Sequence, residues 1–359
     1  MNQHRKLFIP GPTEVAPEVL AELSRPMIGH RFPECSELIG AIVPMIQEML
    51  YTKNMIFLST SSGTGLMEAA VRNCVRESCL CFINGAFAKR FYQIAISNGK
   101  KAIPVEIPWG SGFSAELVDS ALAKHKVDAI TLVHNETSTA AMSDIYGIAE
   151  LMREKYPEVS LLVDMVSSMA GVKLEIDKLG IDVALASGQK AFALPPGIAV
   201  AAISPRALEK ARTVENRGFY FDFLNVEKNY AKNQTHTTPT IPHLYAMKKQ
   251  MERIINEGLE NRWQRHIQMA QRVRAWAEEH FKIFTEESYR SNTLTCIENT
   301  RNVDISQLNK KLAERRMVIS NGYGELKDKT FRIAHMGELT LQDIDQLLEA
   351  LDEILGFSG

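Results

Sequence analysis

Apolar and polar positions along the first two thirds of the chain form blocks that predict strands and helices in alternation. Apolar runs of strand length lie at 55–58, 79–83, 101–107, 129–133, 161–164, 183–186 and 198–203. Between them, apolar residues recur at helical spacing, as in 37–51 and 115–124. This alternation predicts an α/β fold in which a mostly parallel, doubly wound sheet carries helices on both faces.

The last third of the chain has a different pattern. A long helical stretch covers 241–280 and contains Gly258 as a predicted break. Shorter strand and helix patterns then follow at 293–297, 305–315, 317–320, 330–334 and 341–355. Prolines make 8–13 rigid and extended, which predicts an arm rather than a strand. We therefore expect an N-terminal arm (1–15), a large domain (16–250) and a smaller C-terminal α/β domain (251–359).

Composition limits the classes of function. The 359 residues are 45% hydrophobic and 23% charged, with a formal net charge of -2 and with acids and bases interspersed. This favours neither a nucleic-acid partner nor a membrane partner. No apolar run approaches the ~18 residues of a membrane helix, and the N-terminus lacks the apolar core of a signal peptide, so we expect a cytoplasmic protein. Five cysteines argue against a disulfide framework, and their spacing does not match a metal site.

Lys190 is the most informative single residue. It follows the apolar run 183–186 and precedes a turn, Pro195-Pro196-Gly197, that leads into the next apolar run. A charged amine between two buried strands carries a desolvation penalty, so the position favours a neutral amine or an imine, as in a Schiff-base lysine. A lysine that extends from a strand end to solvent fits this stretch equally well.

Small and hydroxylated residues follow the strand at 55–58, in the sequence STSSGTG, and a helical pattern begins directly after them. Free N–H groups and the positive end of the helix dipole make such a helix N-terminus suitable for a phosphate. The stretch lacks the residues of a P-loop and the spacing of a dinucleotide fingerprint. A serine-rich turn that only caps the helix is the alternative.

Further candidate side chains follow the other strands, because Phe87, Thr137 and Asp164 each lie at or just beyond a predicted strand end. Ligands of parallel α/β sheets bind outside the carboxyl ends of the strands. We therefore expect one crevice to collect a phosphate site, an aromatic ring, a hydroxyl, a carboxylate and an amine. These are the contacts that pyridoxal 5'-phosphate requires.

The order of short motifs along the chain resembles a known family. The motifs are PGPTEV (10–15), GHR (29–31), SSGTGLMEAAV (61–71), NGAFAKR (84–90), HNETSTA (134–140), VDMVSS (163–168), SGQKAFALPPG (187–197) and FRIAHMG (331–337). They resemble class V, fold type I, pyridoxal-phosphate-dependent aminotransferases, nearest the phosphoserine and alanine/serine-glyoxylate group. The resemblance covers about residues 7 to 340.

The resemblance implies a role for each candidate in cofactor binding. Lys190 would hold the cofactor and move the substrate proton, and Asp164 would pair with the pyridine nitrogen. Phe87 would stack on the ring and Thr137 would lie near its edge. The phosphate would be held by Ser62, Gly63, Thr64 and Gln189, and by Thr237 of the other subunit, which implies a homodimer with shared active sites.

The resemblance also implies how substrates bind. Arg332 matches the arginine that grips the α-carboxylate. His30 and Arg31 match a pair that contacts the substrate phosphate in phosphoserine aminotransferases, although GHR also occurs in the glyoxylate branch. The expected reaction moves an amino group from phosphoserine, serine or alanine to 2-oxoglutarate, pyruvate or glyoxylate. Three positions depart from the family pattern: Ala88 and Ala140, where glycine is commoner, and Gln234, where some relatives have tyrosine.

Two alternatives belong to other classes of function. A lyase such as a cysteine desulfurase needs a reactive cysteine and usually a histidine before the cofactor lysine, whereas Gln189 precedes Lys190 and Cys296 lies in a strand-like run. A non-catalytic, cofactor-binding regulator normally carries an additional DNA-binding module, for which neither length nor charge leaves room.

Overall fold

The computed structural model describes residues 4–357, which form strands and helices in close alternation. The strands are β1 (Lys6–Phe8), β2 (Met55–Ser59), β3 (Ser78–Ile83), β4 (Lys101–Glu106), β5 (Ala129–Val133), β6 (Asn135–Glu136), β7 (Ala141–Met142), β8 (Ser160–Asp164), β9 (Val183–Ser187), β10 (Ala199–Ile203), β11 (Lys282–Ile283), β12 (Leu294–Glu298), β13 (Met317–Asn321) and β14 (Thr330–Ala334). The helices are α1 (Pro17–Glu22), α2 (Pro33–Met49), α3 (Gly63–Cys74), α4 (Ala86–Ser97), α5 (Ala115–Leu122), α6 (Ile145–Lys155), α7 (Ile176–Leu179), α8 (Pro205–Thr213), α9 (Phe223–Tyr230), α10 (Ile241–Glu257), α11 (Leu259–His280), α12 (Ile305–Glu314) and α13 (Leu341–Leu355).

A seven-stranded sheet in the order β2-β10-β9-β8-β5-β3-β4 forms the centre of the larger part of the chain. From β9 to β4 all neighbouring strands are parallel, whereas β10 is antiparallel to both β9 and β2. The reversal follows from the connection, because residues 188–198, which link β9 to β10, form no helix, and a parallel return usually needs a crossover helix. The expected mostly parallel α/β sheet is therefore confirmed.

Burial along the strands follows their place in the sheet. Every residue of β2, β5, β8, β9 and β10 is buried, as expected of strands covered by helices on both faces. The strand predicted from the apolar run at 101–107 is present as β4, but the burial that such a run indicates is not observed. Strand β4 lies at the edge of the sheet, and Lys101 and Glu106 are exposed.

A second sheet, in the order β1-β13-β14-β12-β11, forms the C-terminal part of the structure. Its edge strand β1 comes from the N-terminus and pairs in parallel with β13, with Lys6 opposite Met317. The Lys6 side chain also forms an ion pair with Asp343. The sequence prediction of an arm missed this strand, because three residues are too few for a visible pattern.

The predicted break at Gly258 separates two helices with different neighbours. Gly258 has a φ of +83°, which glycine adopts without strain. Before it, α10 packs against α1 and α2; after it, α11 packs against α13. Met251 and Ile254 of α10 belong to the core of the larger part, so we propose Gly258 as the domain boundary rather than residue 250. No helix within residues 4–357 is long and apolar enough to cross a membrane.

Candidate functional site

The carboxyl ends of the central strands bring the candidate side chains to one edge of the sheet. Phe87 follows β3, Asp164 ends β8, and Lys190 follows β9. Lys190 Nζ lies 5.9 Å from the centroid of the Phe87 ring. The Gly63 N–H, after β2, donates to Ser187 Oγ at the end of β9, at 3.3 Å. The chain therefore assembles a single cleft from segments that are far apart in sequence.

Lys190 is buried, with 9% of its surface exposed. Burial, together with the positive charge of Arg332, lowers the pKa of its amine to about 8, although Asp164 and Glu136 oppose the shift. At about pH 7.5 such a pKa leaves roughly a quarter of the amine uncharged, against roughly one part in a thousand for an ordinary lysine. The uncharged amine is the form that attacks a carbonyl carbon.

The N-terminal arm holds this lysine in place. Lys190 Nζ donates to the Pro10 carbonyl, and Thr13 Oγ1 donates to the Lys190 carbonyl at 2.8 Å. Gly11 has a φ of +125°, and a Cβ atom there would lie 2.7 Å from Lys190 Cδ. Only glycine therefore allows the backbone to approach the lysine this closely. The sequence singles out the rigid 8–13 stretch but gives no sign of this contact.

Asp164 is the buried acid of the cleft, with 3% of its surface exposed. Burial raises the pKa of its carboxyl to about 7, and the hydrogen bond from the Val166 N–H to Oδ1, at 2.7 Å, opposes the rise. A nearby cation would stabilise the ionised form of this buried carboxyl and lower its pKa.

Glu136 is a second buried acid in the cleft, and sequence reasoning missed it. Its Oε2 accepts the N–H groups of Phe87 and Ala88, at 3.0 and 2.9 Å, in the first turn of α4. Its Oε1 accepts both the N–H and the hydroxyl of Ser138, at 2.9 and 2.7 Å. An anion at a helix N-terminus is stabilised by the helix dipole. Glu136 therefore fixes the start of α4 and with it the position of Phe87.

Arg332 lies on β14 at the other wall of the cleft and is 7% exposed. Its Nε and Nη2 donate to the Asn321 carbonyl at 3.2 and 3.1 Å, and its Nη1 donates to the Thr137 carbonyl at 3.0 Å. A guanidinium has five N–H groups, so one on each terminal nitrogen stays available for a bidentate carboxylate. The Thr137 hydroxyl is paired with Ser167 Oγ at 2.5 Å.

The N-terminus of α3 closes the cleft on the side of β2. Ser62 precedes the helix and is exposed, and it makes no side-chain cap to the helix. Gly63 is buried, and a Cβ atom there would lie 2.6 Å from a Val166 methyl group, so the close approach of the helix to the segment just after β8 requires glycine. The Gln189 amide oxygen accepts a hydrogen bond from Ser187 Oγ. The first-turn N–H groups of α3 thus face a position where an anion is favoured.

Comparisons with known proteins identify the family of the chain. The family model for class V aminotransferases covers residues 108–347. An uncharacterized aminotransferase of Methanocaldococcus jannaschii is 35% identical, over 92% of this chain and 87% of the relative. An L-aspartate–glyoxylate aminotransferase of Paracoccus denitrificans is 31% identical, over 95% of this chain and 88% of the relative.

The chain belongs to the class V aminotransferases. The crystal structure of an alanine–glyoxylate aminotransferase from Nostoc sp. superposes with a TM-score of 0.91 and 31% identity, over 98% of this chain and 96% of that one. The family resemblance, the fold class and the assignment as a transaminase are therefore confirmed. Pyridoxal-phosphate dependence is a property of this family.

Three candidate residues of this aminotransferase, His30, Arg31 and Thr237, make no hydrogen bond to Lys190 within residues 4–357. Arg31 is exposed and donates to the carbonyls of Thr235 and His236, at 2.5 and 3.4 Å. Thr237 belongs to the same loop, and its carbonyl accepts the Thr235 hydroxyl at 2.6 Å. His30 is half-buried beside Arg31. The structure thus groups His30 and Arg31 with the loop of Thr237 rather than with Arg332.

Of the departures from the family pattern, Ala140 has a clear structural consequence. Its φ is +59°, a conformation that favours glycine, and it is 1% exposed. Its N–H donates to the Glu136 carbonyl at 2.8 Å, and its carbonyl accepts from the Ser291 N–H at 3.1 Å. The turn therefore keeps the geometry that glycine provides, at some cost in strain. The buried Ala88 N–H donates to Glu136, whereas nothing in the structure explains Gln234.

The cysteines of this aminotransferase are buried and not paired in disulfides. Cys296 lies on β12, and burial raises the pKa of its thiol to about 12. Such a thiol is almost entirely protonated at neutral pH and is a poor nucleophile. Within residues 4–357, no group of three or more His, Cys, Asp or Glu side chains is arranged to hold a metal ion.

Proposed function

We propose that this aminotransferase binds pyridoxal 5'-phosphate in the cleft around Lys190 and transfers an amino group from a small amino acid to a 2-oxo acid. The observation that carries the proposal is the pairing of a buried, low-pKa lysine with a buried, high-pKa acid at neighbouring strand ends. Perturbed pKa values of this kind cluster at active sites.

The residues of the cleft fit the cofactor in their chemistry. The open N-terminus of α3, with Ser62, Gly63 and Thr64, suits a phosphate. Phe87 offers a ring face within reach of Lys190. Asp164 offers a buried carboxyl whose ionised form a protonated ring nitrogen would stabilise. Thr137 and Gln189 complete the proposed set of contacts.

The bound cofactor would supply an electron sink for the carbanion that forms at the substrate α carbon. The chain's own residues do the rest. The Lys190 amine takes the α proton and returns it, as a general base and acid. Asp164 holds the positive charge on the ring nitrogen, and Phe87 and the α3 N-terminus keep the group in one orientation.

Arg332 would bind the substrate α-carboxylate with its two available N–H groups. The carbonyls of Asn321 and Thr137 hold the guanidinium in one orientation, so little side-chain freedom is lost when the carboxylate binds. The proposed role of Arg332 in binding the α-carboxylate follows from this fixed orientation of its guanidinium at the wall of the cleft.

The relatives support glyoxylate as the acceptor, since the Paracoccus denitrificans and Nostoc sp. enzymes are named for it. Phosphoserine, serine and alanine stay candidate donors. Arg31 contacts the loop of Thr237 within one chain, and we propose that Arg31 and its neighbour His30 touch substrate across a dimer interface. A phosphorylated donor would need them there, to neutralise roughly two extra negative charges.

We infer that the active form is a homodimer in which Thr237 reaches the cofactor phosphate of the partner. Two large apolar side chains near the Thr237 loop are exposed in the single chain, which supports an interface that a second subunit covers: Phe32 is 62% exposed and Phe219 is 73% exposed. The neighbouring Tyr220 hydroxyl donates to the Thr60 carbonyl, at the end of β2 and close to the proposed phosphate site. An apolar patch of this kind marks an interface.

The dimer is tested with Phe219→Asp, which places a charge in the proposed interface. We expect the wild-type protein to sediment at twice the chain mass and the variant to sediment at the chain mass, with weaker cofactor binding. Leu117→Asp, at a residue on α5 that is 43% exposed, is the matched control and should change neither property. A wild-type monomer with full cofactor affinity contradicts the inference.

The proposed reaction is tested by single-turnover experiments on the cofactor-loaded protein. Phosphoserine, serine, alanine, aspartate and cysteine are each added alone, and the absorbance change to the pyridoxamine form is followed. We expect fast, stoichiometric conversion by at least one donor and recovery of the original spectrum on addition of glyoxylate. Sulfide or alanine released from cysteine without pyridoxamine would indicate a lyase, and no spectral change with any donor would indicate a regulator.

A further inference from the structure

Arg90 is a cation in the cleft that the proposed function does not use. It lies on α4, one turn after Phe87, and its guanidinium carbon is 4.8 Å from the centroid of that ring. Its Nη1 contacts Thr64 Oγ1 and its Nη2 contacts Tyr323 Oη, each at 3.4 Å, which is long for a hydrogen bond. No carboxylate within residues 4–357 lies at ion-pair distance from it.

The charge of Arg90 acts on the reacting groups. Burial raises the pKa of Asp164 and lowers the pKa of Lys190; the positive charge of Arg90 opposes the first shift and adds to the second, each as a small contribution. A guanidinium favours bidentate pairing with a carboxylate, and two distant hydroxyls do not replace that interaction. Arg90 is therefore available to an anion that enters the cleft.

Tyr323 connects Arg90 with Arg332. It lies on the turn between β13 and β14, is 36% exposed, and its ring centroid is 5.4 Å from that of Phe87. The Arg332 guanidinium carbon lies 5.6 Å from the centroid of the same ring. Asn321, two residues earlier, supplies the carbonyl that holds Arg332. One tyrosine ring thus contacts both guanidinium groups.

We propose that Arg90 and Tyr323 form a subsite for the second carboxylate of a dicarboxylic amino donor such as aspartate. The proposal rests on the proposed function, since Arg332 must take the α-carboxylate and direct the amine towards Lys190. The guanidinium of Arg90 then binds the side-chain carboxylate. The Tyr323 hydroxyl, which accepts from Arg90 in the structure, instead donates a hydrogen bond to that carboxylate.

The cofactor phosphate is the competing anion, because Arg90 also contacts Thr64. Two observations favour the substrate. The α3 N-terminus already provides neutral donors for a phosphate, and Tyr323 belongs to the turn that positions Arg332, on the substrate wall. If Arg90 instead binds the cofactor phosphate, its replacement should impair aspartate and alanine equally, and the experiment measures this difference.

The test compares Arg90→Met, Arg90→Lys and Tyr323→Phe with the wild type, all loaded with cofactor. In Arg90→Met we expect the single-turnover kcat/KM for aspartate to fall about 100-fold while that for alanine changes less than about threefold. Arg90→Lys, which keeps the charge, and Tyr323→Phe, which keeps the ring on Phe87, should each lower the value for aspartate about tenfold. Arg153→Met, at an exposed arginine on α6, should leave both donors unchanged.

A binding measurement separates this proposal from the proposed function. By calorimetry we expect the Kd of succinate to rise about 100-fold in Arg90→Met and that of propionate to change little. Equal losses for aspartate and alanine, or weaker cofactor binding in Arg90→Met, would assign Arg90 to the cofactor phosphate and overturn the subsite. Wild-type conversion of alanine but not aspartate would also overturn the subsite. Failure of every donor would overturn the proposed function, and the effect of Arg90→Met on succinate binding would then decide alone whether Arg90 binds a second carboxylate.

Discussion

Replacing Lys190 with alanine is expected to abolish the visible absorbance of the lysine-bound cofactor and to lower turnover at least about 1,000-fold. The substitution removes the buried amine that, in the proposed function, would bond to the cofactor and would also move the α proton, and each role alone is worth a large factor in rate. The measurement is an absorbance spectrum of the loaded protein, followed by single-turnover kinetics with the best donor.

Lys178→Ala is the control for this prediction, because Lys178 is an exposed lysine on α7 with 71% of its side chain accessible. It should keep both the spectrum and the rate. An intact visible chromophore in Lys190→Ala would show that another amine holds the cofactor and would refute the central assignment.

Replacing Asp164 with asparagine is expected to lower turnover about 100-fold or more, with a smaller effect on cofactor binding. Asparagine keeps the shape and can still accept the Val166 N–H, but it cannot hold a positive charge on the ring nitrogen. In the proposed function the cofactor would then be a weaker electron sink, because Asp164 would no longer stabilise the charge on its ring nitrogen, and electrostatic stabilisation of this kind is a large contribution to catalysis. The measurement pairs kcat with a cofactor titration.

The stability of the apoprotein distinguishes lost chemistry from misfolding in this variant. The folded-state pKa of Asp164 is raised to about 7 by burial, so ionisation of this group destabilises the fold increasingly as pH rises from the unfolded-state value towards 7. Asparagine removes that cost, and the Tm of apo Asp164→Asn near pH 8 should equal or exceed that of the wild type.

Asp182→Asn is the matched control for a buried acid with a structural role. Asp182 is buried just before β9, pairs with the half-exposed Arg206 and accepts the Leu161 N–H, and removing the charge of a buried, hydrogen-bonded carboxylate is destabilising. This variant should lower Tm and leave the rate per folded molecule unchanged. A rate in Asp164→Asn close to that of the wild type would exclude the proposed role of Asp164.

Most strands and helices were predictable because each has a strong local pattern. The strands at 129–133 and 330–334 and the helix at 341–355 match the structure at both ends. Helix α2 begins at Pro33, four residues before the predicted start, because its first turn has few apolar residues. Strand β4 shows the limit of such patterns, since an apolar run does not reveal whether its strand lies at the centre or the edge of a sheet.

The site was predictable as a set of strand ends and motifs, but its supporting contacts were not. Glu136 stands inside a motif that the sequence singles out, yet its bonds to α4 join residues 48 and 49 positions apart. The contact of Lys190 with Pro10 spans 180 positions, and that of Arg90 with Tyr323 spans 233. No local pattern records such pairs.

The sequence alone determined the alternation of elements, the family and the identity of the candidate reacting groups, because periodicity and ordered motifs are local properties of the chain. The tertiary structure decided which strand runs antiparallel, which residues hold Lys190 and Phe87, and which cations in the cleft lack an anion. Those outcomes depend on packing, burial and the electrostatic field, which arise only when distant segments meet.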